Sequence, residues 1–136
     1  MDIDAKRTTI RVRLEKAHDD LAAARALLQT AHWRATVNRA YYTIFHVTSA
    51  ALLWLDVSRS RHSGIQSAFG EFLVKPGLIE REYADIYADA REWREEQDYR
   101  DIARPLDEAT ATQIVKDAER FVARIERYLR ETGAID

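Results

Sequence analysis

Trp33-Arg34-Ala35-Thr36-Val37-Asn38-Arg39-Ala40-Tyr41-Tyr42-Thr43-Ile44-Phe45-His46-Val47-Thr48-Ser49-Ala50-Ala51-Leu52-Leu53-Trp54-Leu55 carries two stripes at once. Val37, Tyr41, Ile44, Thr48, Ala51 and Leu55 recur in steps of three and four, which places them on one face of an α-helix. Tyr42, Phe45, Ser49 and Leu52 recur in the same way on a second face. A helix that is apolar on two faces does not rest on a surface. It is sandwiched, either at the centre of a bundle or between a bundle and another chain. Its polar residues Asn38, Arg39 and His46 then need partners, because buried polar groups are hydrogen-bonded. For His46 the expectation is a buried imidazole satisfied by a hydrogen bond rather than a chemical role.

Upstream, from about Thr9 to Ala31, Ile10, Leu14, Ala17, Leu21, Ala24 and Leu28 make a single stripe, the mark of a helix packing one face on a core. Glu15 and His18 within it have the Glu-x-x-His spacing of di-iron bundles. Such sites need two copies and two further core carboxylates. The motif occurs once here, so no metal site is expected and the two residues read as solvated flanks of the stripe. Downstream, Asp56 to His62 is a polar connection whose Arg59 and Arg61 are either solvated or form a basic lip for a phosphate-bearing partner. Ser63 is the expected N-cap of a short helix carrying Ile65, Phe69, Phe72 and Leu73, which Pro76-Gly77 ends.

A further helix is predicted from about Leu78 to Gln97, with Ile79, Tyr83, Ile86, Tyr87 and Ala90 as its stripe. After a break at 99–107 containing Pro105, Asp107 or Thr110 caps the last helix. Its stripe is Ile114, Ala118, Phe121, Ile125 and Tyr128, and Gly133 suits the position just past its end. No strand alternation, repeat or linker interrupts this pattern. The expected fold is all-α, an antiparallel up-and-down bundle of four long helices plus one short one. One domain is expected over residues 1–136, with its core at about 9–132.

Composition narrows the chemistry. The chain has 136 residues, 46% apolar and 32% charged, with only 4 Gly and 2 Pro, a balance that suits a helical bundle. The absence of cysteine excludes disulfides, thiolate metal sites and a cysteine nucleophile. A formal charge of −2 means that any RNA contact must come from a local basic patch. Met1-Asp2-Ile3-Asp4 lacks the apolar core of a signal peptide, and the run Ala50 to Leu55 is too short to span a bilayer. A cytoplasmic protein without membrane contact is expected.

Charge appears where the 79–90 stripe should continue. One step past Tyr87 and Ala90 falls Arg94, and a further turn reaches Asp98. Burying a charge is costly unless it is paired or faces a cleft. The pair is either an ion pair capping a core helix or a polar site at the mouth of the bundle.

Three stretches in order, Asn38-Arg39-Ala40-Tyr41-Tyr42-Thr43-Ile44-Phe45-His46, then His62-Ser63-Gly64-Ile65 with Phe69-Gly70 and Phe72 behind it, then Arg94-Glu95-Glu96-Gln97-Asp98-Tyr99, resemble the HEPN domain family. The likeness is to its small stand-alone prokaryotic members, of the kind paired with a minimal nucleotidyltransferase, and it covers nearly the whole chain. The resemblance implies a helical bundle that forms a homodimer and a small nucleotidyltransferase antitoxin as partner. It also implies metal-independent endoribonuclease activity without a cofactor, from an Arg followed four to six residues later by His, two such motifs meeting in a dimer cleft.

Arg94 matches the motif Arg and Glu95 its polar neighbour, but Tyr99 stands where the family places His. Arg suits the holding of charge on phosphorus, being planar and always protonated. A neutral Tyr is a poor base unless a nearby cation lowers its pKa. In the family's nucleotidyltransferase-paired members this tyrosine can itself be nucleotidylated, which makes Tyr99 a modification candidate. The reading that follows is a toxin in which Arg94, Tyr99 and Asp98 are catalytic, while Arg91, Glu95, Arg59, Arg61 and His62 bind RNA or a nucleotide. The alternative is a non-catalytic nucleotide- or partner-binding subunit of a HEPN–nucleotidyltransferase complex. On a regular helix Tyr99 lies about 140° round from Arg94. The two are therefore expected to converge across a dimer interface rather than within one chain.

Overall fold

The computed structural model describes residues 1–136. Five helices follow in order: α1 (Ile3–Gln29), α2 (Trp33–Trp54), α3 (His62–Phe69), α4 (Arg81–Tyr99) and α5 (Glu108–Glu131). A single π-helical stretch, Gly70–Val74, prolongs α3 and closes with Lys75 N bonded to Gly70 O at 2.8 Å. Four long helices and one short one are thus present, with no strand.

Polar ties between helices fix their directions. From α1 to α2 the ties run Arg13 to Ser49 and Asp20 to Arg39, with Lys6 meeting Asp56 just past the end of α2. As one number rises the other falls, so the two helices are antiparallel. His18 to Glu126 and Arg25 to Glu119 give the same relation for α1 and α5. Glu80 to Arg124 and Glu82 to Arg120 give it where α4 meets α5. The long helices therefore run up, down, up and down, and α3 is the crossover between the second and third.

The two-striped helix lies at the centre. α2 packs on α1, α3, α4 and α5, and its buried residues include Val37, Tyr41, Ile44, Val47, Ala51 and Leu52. Of the two positions left open by its pattern, the centre of the bundle is the one observed. Two of its buried hydroxyls, those of Thr36 and Thr43, donate to the carbonyls of His32 and Arg39 on their own helix, while that of Thr48 is buried without a partner. The core around it is a contiguous cluster of 29 residues. Phe121, Phe69 and Tyr87 join α5, α3 and α4 there, with ring centroids 5.3–5.9 Å apart.

Helix ends differ from the sequence reading where the signal is not apolar. α1 begins at Ile3, not near Thr9, because the Asp2 carboxylate accepts from Ala5 N at 2.9 Å and caps a turn that carries no stripe. α3 begins at His62, so Ser63 lies inside the helix and caps nothing; Arg61 precedes it with no side-chain cap. α4 begins at Arg81, and Ile79 is buried ahead of it, its N–H bonded to Leu73 O. At the start of α5 Asp107 is the cap, accepting from Thr110 N at 2.8 Å. Gly133 takes a φ of +86° just past the end of α5, where any other residue would be strained.

Candidate functional site

The last two turns of α4 meet the first half of α2, and the start of α3 closes the gap. α4 runs unbroken to Tyr99, and Arg100 N still bonds to Glu96 O. Arg94 occupies the stripe position that the period assigns it, and its side chain is only 11% exposed. Its guanidinium carbon lies 4.5 Å from the ring centroid of Tyr41, 5.4 Å from that of Tyr42 and 5.9 Å from that of Tyr99. Aromatic faces attract a cation, and more strongly where water is excluded. The ring faces themselves take none of its N–H groups.

One terminal N–H of Arg94 donates to the Tyr99 hydroxyl at 3.3 Å. Its Nε is buried without a hydrogen-bond partner, 3.7 Å from the Asp98 carboxylate. A guanidinium has five N–H donors, so most of this one's capacity is unspent. Asp98 in turn accepts from the Asn38 amide at 3.2 Å. Arg94 and Asp98 lie side by side, as the ion-pair reading has it. A hollow of about 430 Å³ lies beside them, lined by Leu27, Arg34, Asn38, Arg39, Asp98 and Tyr99.

Arg94 and Tyr99 therefore meet within one chain, and the expected convergence across a dimer interface is not needed. The helix neither frays nor unwinds. The two side chains are long enough to span the angle between them, and Tyr99, as the last helical residue, is 72% exposed and free to lean back.

The other residues singled out from the sequence divide. Arg91 is already engaged, donating to Glu95 at 2.9 Å and to Gln66 of α3 at 2.8 Å, so Arg91 and Glu95 satisfy each other and tie α4 to α3. Arg59 donates to Ser58 O, lies over the Phe72 ring and packs on Gly64. Arg61 is exposed at the start of α3. Neither Arg59 nor Arg61 touches the Arg94 cluster.

His62 does reach the same aromatic wall. Its ring is 4.3 Å from Phe45, 5.7 Å from Tyr42 and 6.3 Å from Tyr41. Burial against these rings, then the Arg94 and Arg91 cations, lower its pKa below the ordinary histidine value. His46 is half-buried, with Nε2 3.5 Å from Asp20, and Asp20 also takes Arg39 at 2.9 Å. Burial lowers the His46 pKa and Asp20 only partly offsets this.

Tyr41, Tyr42 and Phe45 are the site residues that the stripe reading assigned only to packing. The signal was the adjacent pair Tyr41-Tyr42 between Asn38 and His46 on a helix whose polar residues lacked partners. A second contribution comes from the 100–107 connection. Glu96, 4% exposed, accepts from Arg104 N at 2.9 Å and from Arg104 Nε at 2.7 Å. The Arg104 guanidinium lies over Trp93 at 3.8 Å, and Gln97 donates to Arg104 O. This clamp folds the connection back on α4 and holds the segment that leaves Tyr99.

The largest hollow, about 730 Å³, lies elsewhere, between α1 and the residues after α5. Two of its ionisable side chains are engaged: Arg7 donates to Gly133 O, and His18 pairs with Glu126 rather than with Glu15. No three His, Cys, Asp or Glu side chains anywhere in the chain converge in a way that would hold a metal ion. No helix is long and apolar enough to cross a membrane.

Comparison with known proteins places the chain in a family. A model of the HEPN domain matches residues 10–128. A Methanocaldococcus jannaschii protein named "Putative toxin MJ0605" is 36% identical over 125 residues, 92% of each chain. A Thermotoga maritima protein, "UPF0332 protein", is 32% identical over 116 residues, 85% of this chain and 87% of its own. A second Methanocaldococcus jannaschii protein, "Putative toxin MJ0142", is 25% identical over 116 residues, 85% of this chain and 78% of its own.

Proposed function

The chain belongs to the HEPN domain family, and from that premise we propose that it is the toxin of a toxin–antitoxin pair and cleaves RNA without a metal ion. The observation that supports this reading most is Arg94. It is a fixed cation walled by Tyr41, Tyr42 and Tyr99, beside a cleft, with most of its N–H donors unspent. In this reading it binds the scissile phosphate through paired N–H bonds and stabilises the charge that grows on the phosphorane. The Tyr99 hydroxyl, held by Arg94, orients the attacking 2′-hydroxyl. Asp98 and Asn38 set the angle of the Arg94 side chain. A second copy would bring a second Arg94 to the same cleft, and an RNA substrate would place the protein in the cytoplasm.

The test is incubation of the purified protein with total RNA in excess chelator, beside Arg94→Ala. Cleavage by the wild type only is the expected result, with the circular dichroism of the two indistinguishable. Equal cleavage by Arg94→Ala would sink the reading.

A second reading rests on the exposure of Tyr99. In it the chain is a binding subunit, and a nucleotidyltransferase encoded beside it transfers a nucleotide to the Tyr99 hydroxyl. Intact-mass measurement after incubation with that enzyme and nucleotide would show one or more added nucleotidyl groups, absent from Tyr99→Phe.

A further inference from the structure

The Arg94–Tyr99 pair lacks a good proton acceptor, and the four histidines of the chain can be compared for that task. His18 is paired with Glu126. His32 bonds through Nδ1 to the Thr30 hydroxyl at 2.9 Å. His46 faces Asp20 at 3.5 Å. His62 alone makes no hydrogen bond or ion pair through its ring, and it alone lies against both the Tyr41 and Tyr42 rings beside Arg94, His46 reaching only Tyr42. It arrives from a different element, as the first residue of α3. Arg91 fixes α3 to α4 through its bond to Gln66, one turn along from His62. Phe45 lies against the imidazole at 4.3 Å and limits its swing.

Resting on the ribonuclease reading above, we infer that His62 is the base of this site, standing in three dimensions where the linear Arg-x4-Tyr motif has no histidine. The 2′-oxygen forms a bond to phosphorus as its proton passes to a ring nitrogen of His62. The bond from phosphorus to the 5′-oxygen breaks, and that oxygen takes a proton from water. The products are a 2′,3′-cyclic phosphate and a 5′-hydroxyl, and His62 returns its proton to solvent. Arg94 holds the non-bridging oxygens throughout.

The surroundings of His62 suit an acceptor. The charged and titratable groups facing it are Arg91 and Arg94 from α4 and Tyr41, Tyr42 and His46 from α2. No carboxylate is among them. Desolvation comes first and the two cations add to it, so the imidazole is neutral at neutral pH and ready to take a proton.

The experiment uses a defined oligoribonucleotide in excess chelator with wild type, His62→Ala and Arg94→Ala. The pH is varied, and free imidazole is added to each variant. His62 is on the surface, so His62→Ala is expected to melt with the wild type. It should lower kcat by about 100-fold or more with little change in KM, and it should lose the acid limb of the wild-type pH profile. Imidazole should restore part of its rate and none of that of Arg94→Ala. An unchanged kcat, or a raised KM with kcat intact, would overturn the base assignment and leave the ribonuclease reading standing. No cleavage by the wild type on this substrate or on total RNA would overturn both.

Discussion

Arg94 shows how much a single residue type decides here. The helical period alone leads to it, because the stripe through Tyr87 and Ala90 arrives next at a guanidinium. Its fitness for phosphate comes from its planar fork of donors, held near the Tyr41 ring with one terminal N–H spent on Tyr99. A lysine would keep the charge and lose the fork. Arg94→Lys is therefore expected to bring cleavage down by about 100-fold, close to Arg94→Ala, with melting temperature unchanged; cleavage assays beside thermal melts check this. Tyr99→Phe removes one hydroxyl from an exposed ring. It should lower cleavage and abolish any nucleotidyl adduct without a change in melting. At this scale the pairing of Arg94 with Asp98 was legible from spacing, whereas Tyr99 was marked only by the family resemblance and its contact with Arg94 within one chain was not expected. The meeting of His62 with Tyr41 and Tyr42 was not legible, because it depends on where α3 crosses and no local period encodes that crossing.

Among the elements, α4 and the connection after it carry the argument. The sequence pattern predicted the body of each helix, both ends of α2 and the Asp107 cap of α5, and missed the starts of α1 and α3, since α1 starts on a carboxylate cap and α3 on no cap at all. The 99–107 break was legible from Pro105, but the clamp that organises it was not. Glu96 lies on the same helix as five other charged residues between 91 and 98, and nothing in sequence marks it as the buried one. Glu96→Gln keeps the shape and weakens two charge-assisted bonds to Arg104. Its expected effect is faster amide hydrogen exchange over residues 100–107, with the rest of α4 unchanged, read by mass spectrometry. Protection equal to the wild type would show that Trp93 and Gln97 hold the connection without it.

For the whole molecule, the two stripes of α2 sufficed for the architecture, since a helix buried on both sides requires helices around it. Its stability should fall with acid in two stages. His46 and His62 have folded pKa values below the ordinary value, so between the two values the unfolded chain binds more protons. Their contribution is complete above about pH 6.5 and is lost as the pH falls from there through the lower folded values. Glu80, held down by Arg124, and Glu96, held down by Arg104, act in a lower window. Their contribution is present above the ordinary glutamate value and lost as pH falls through their depressed folded values. Thermal melts from about pH 8 to about pH 3 should show both stages, and His46→Gln should flatten the upper one. An upper stage unchanged in that variant would assign it elsewhere.

The stacking of Arg104 on Trp93 also gives the protein an optical reporter. Of the three tryptophans, Trp33 starts α2 and Trp54 ends it, and Trp54 lies under Lys6 and Arg7. Trp93 alone borders the connection that leaves Tyr99. Replacing Trp33 and Trp54 by phenylalanine would leave one indole whose emission colour and lifetime change when Arg104 lifts away. Arrival of RNA, or of another protein, at the end of α4 could then be followed in real time without any added dye.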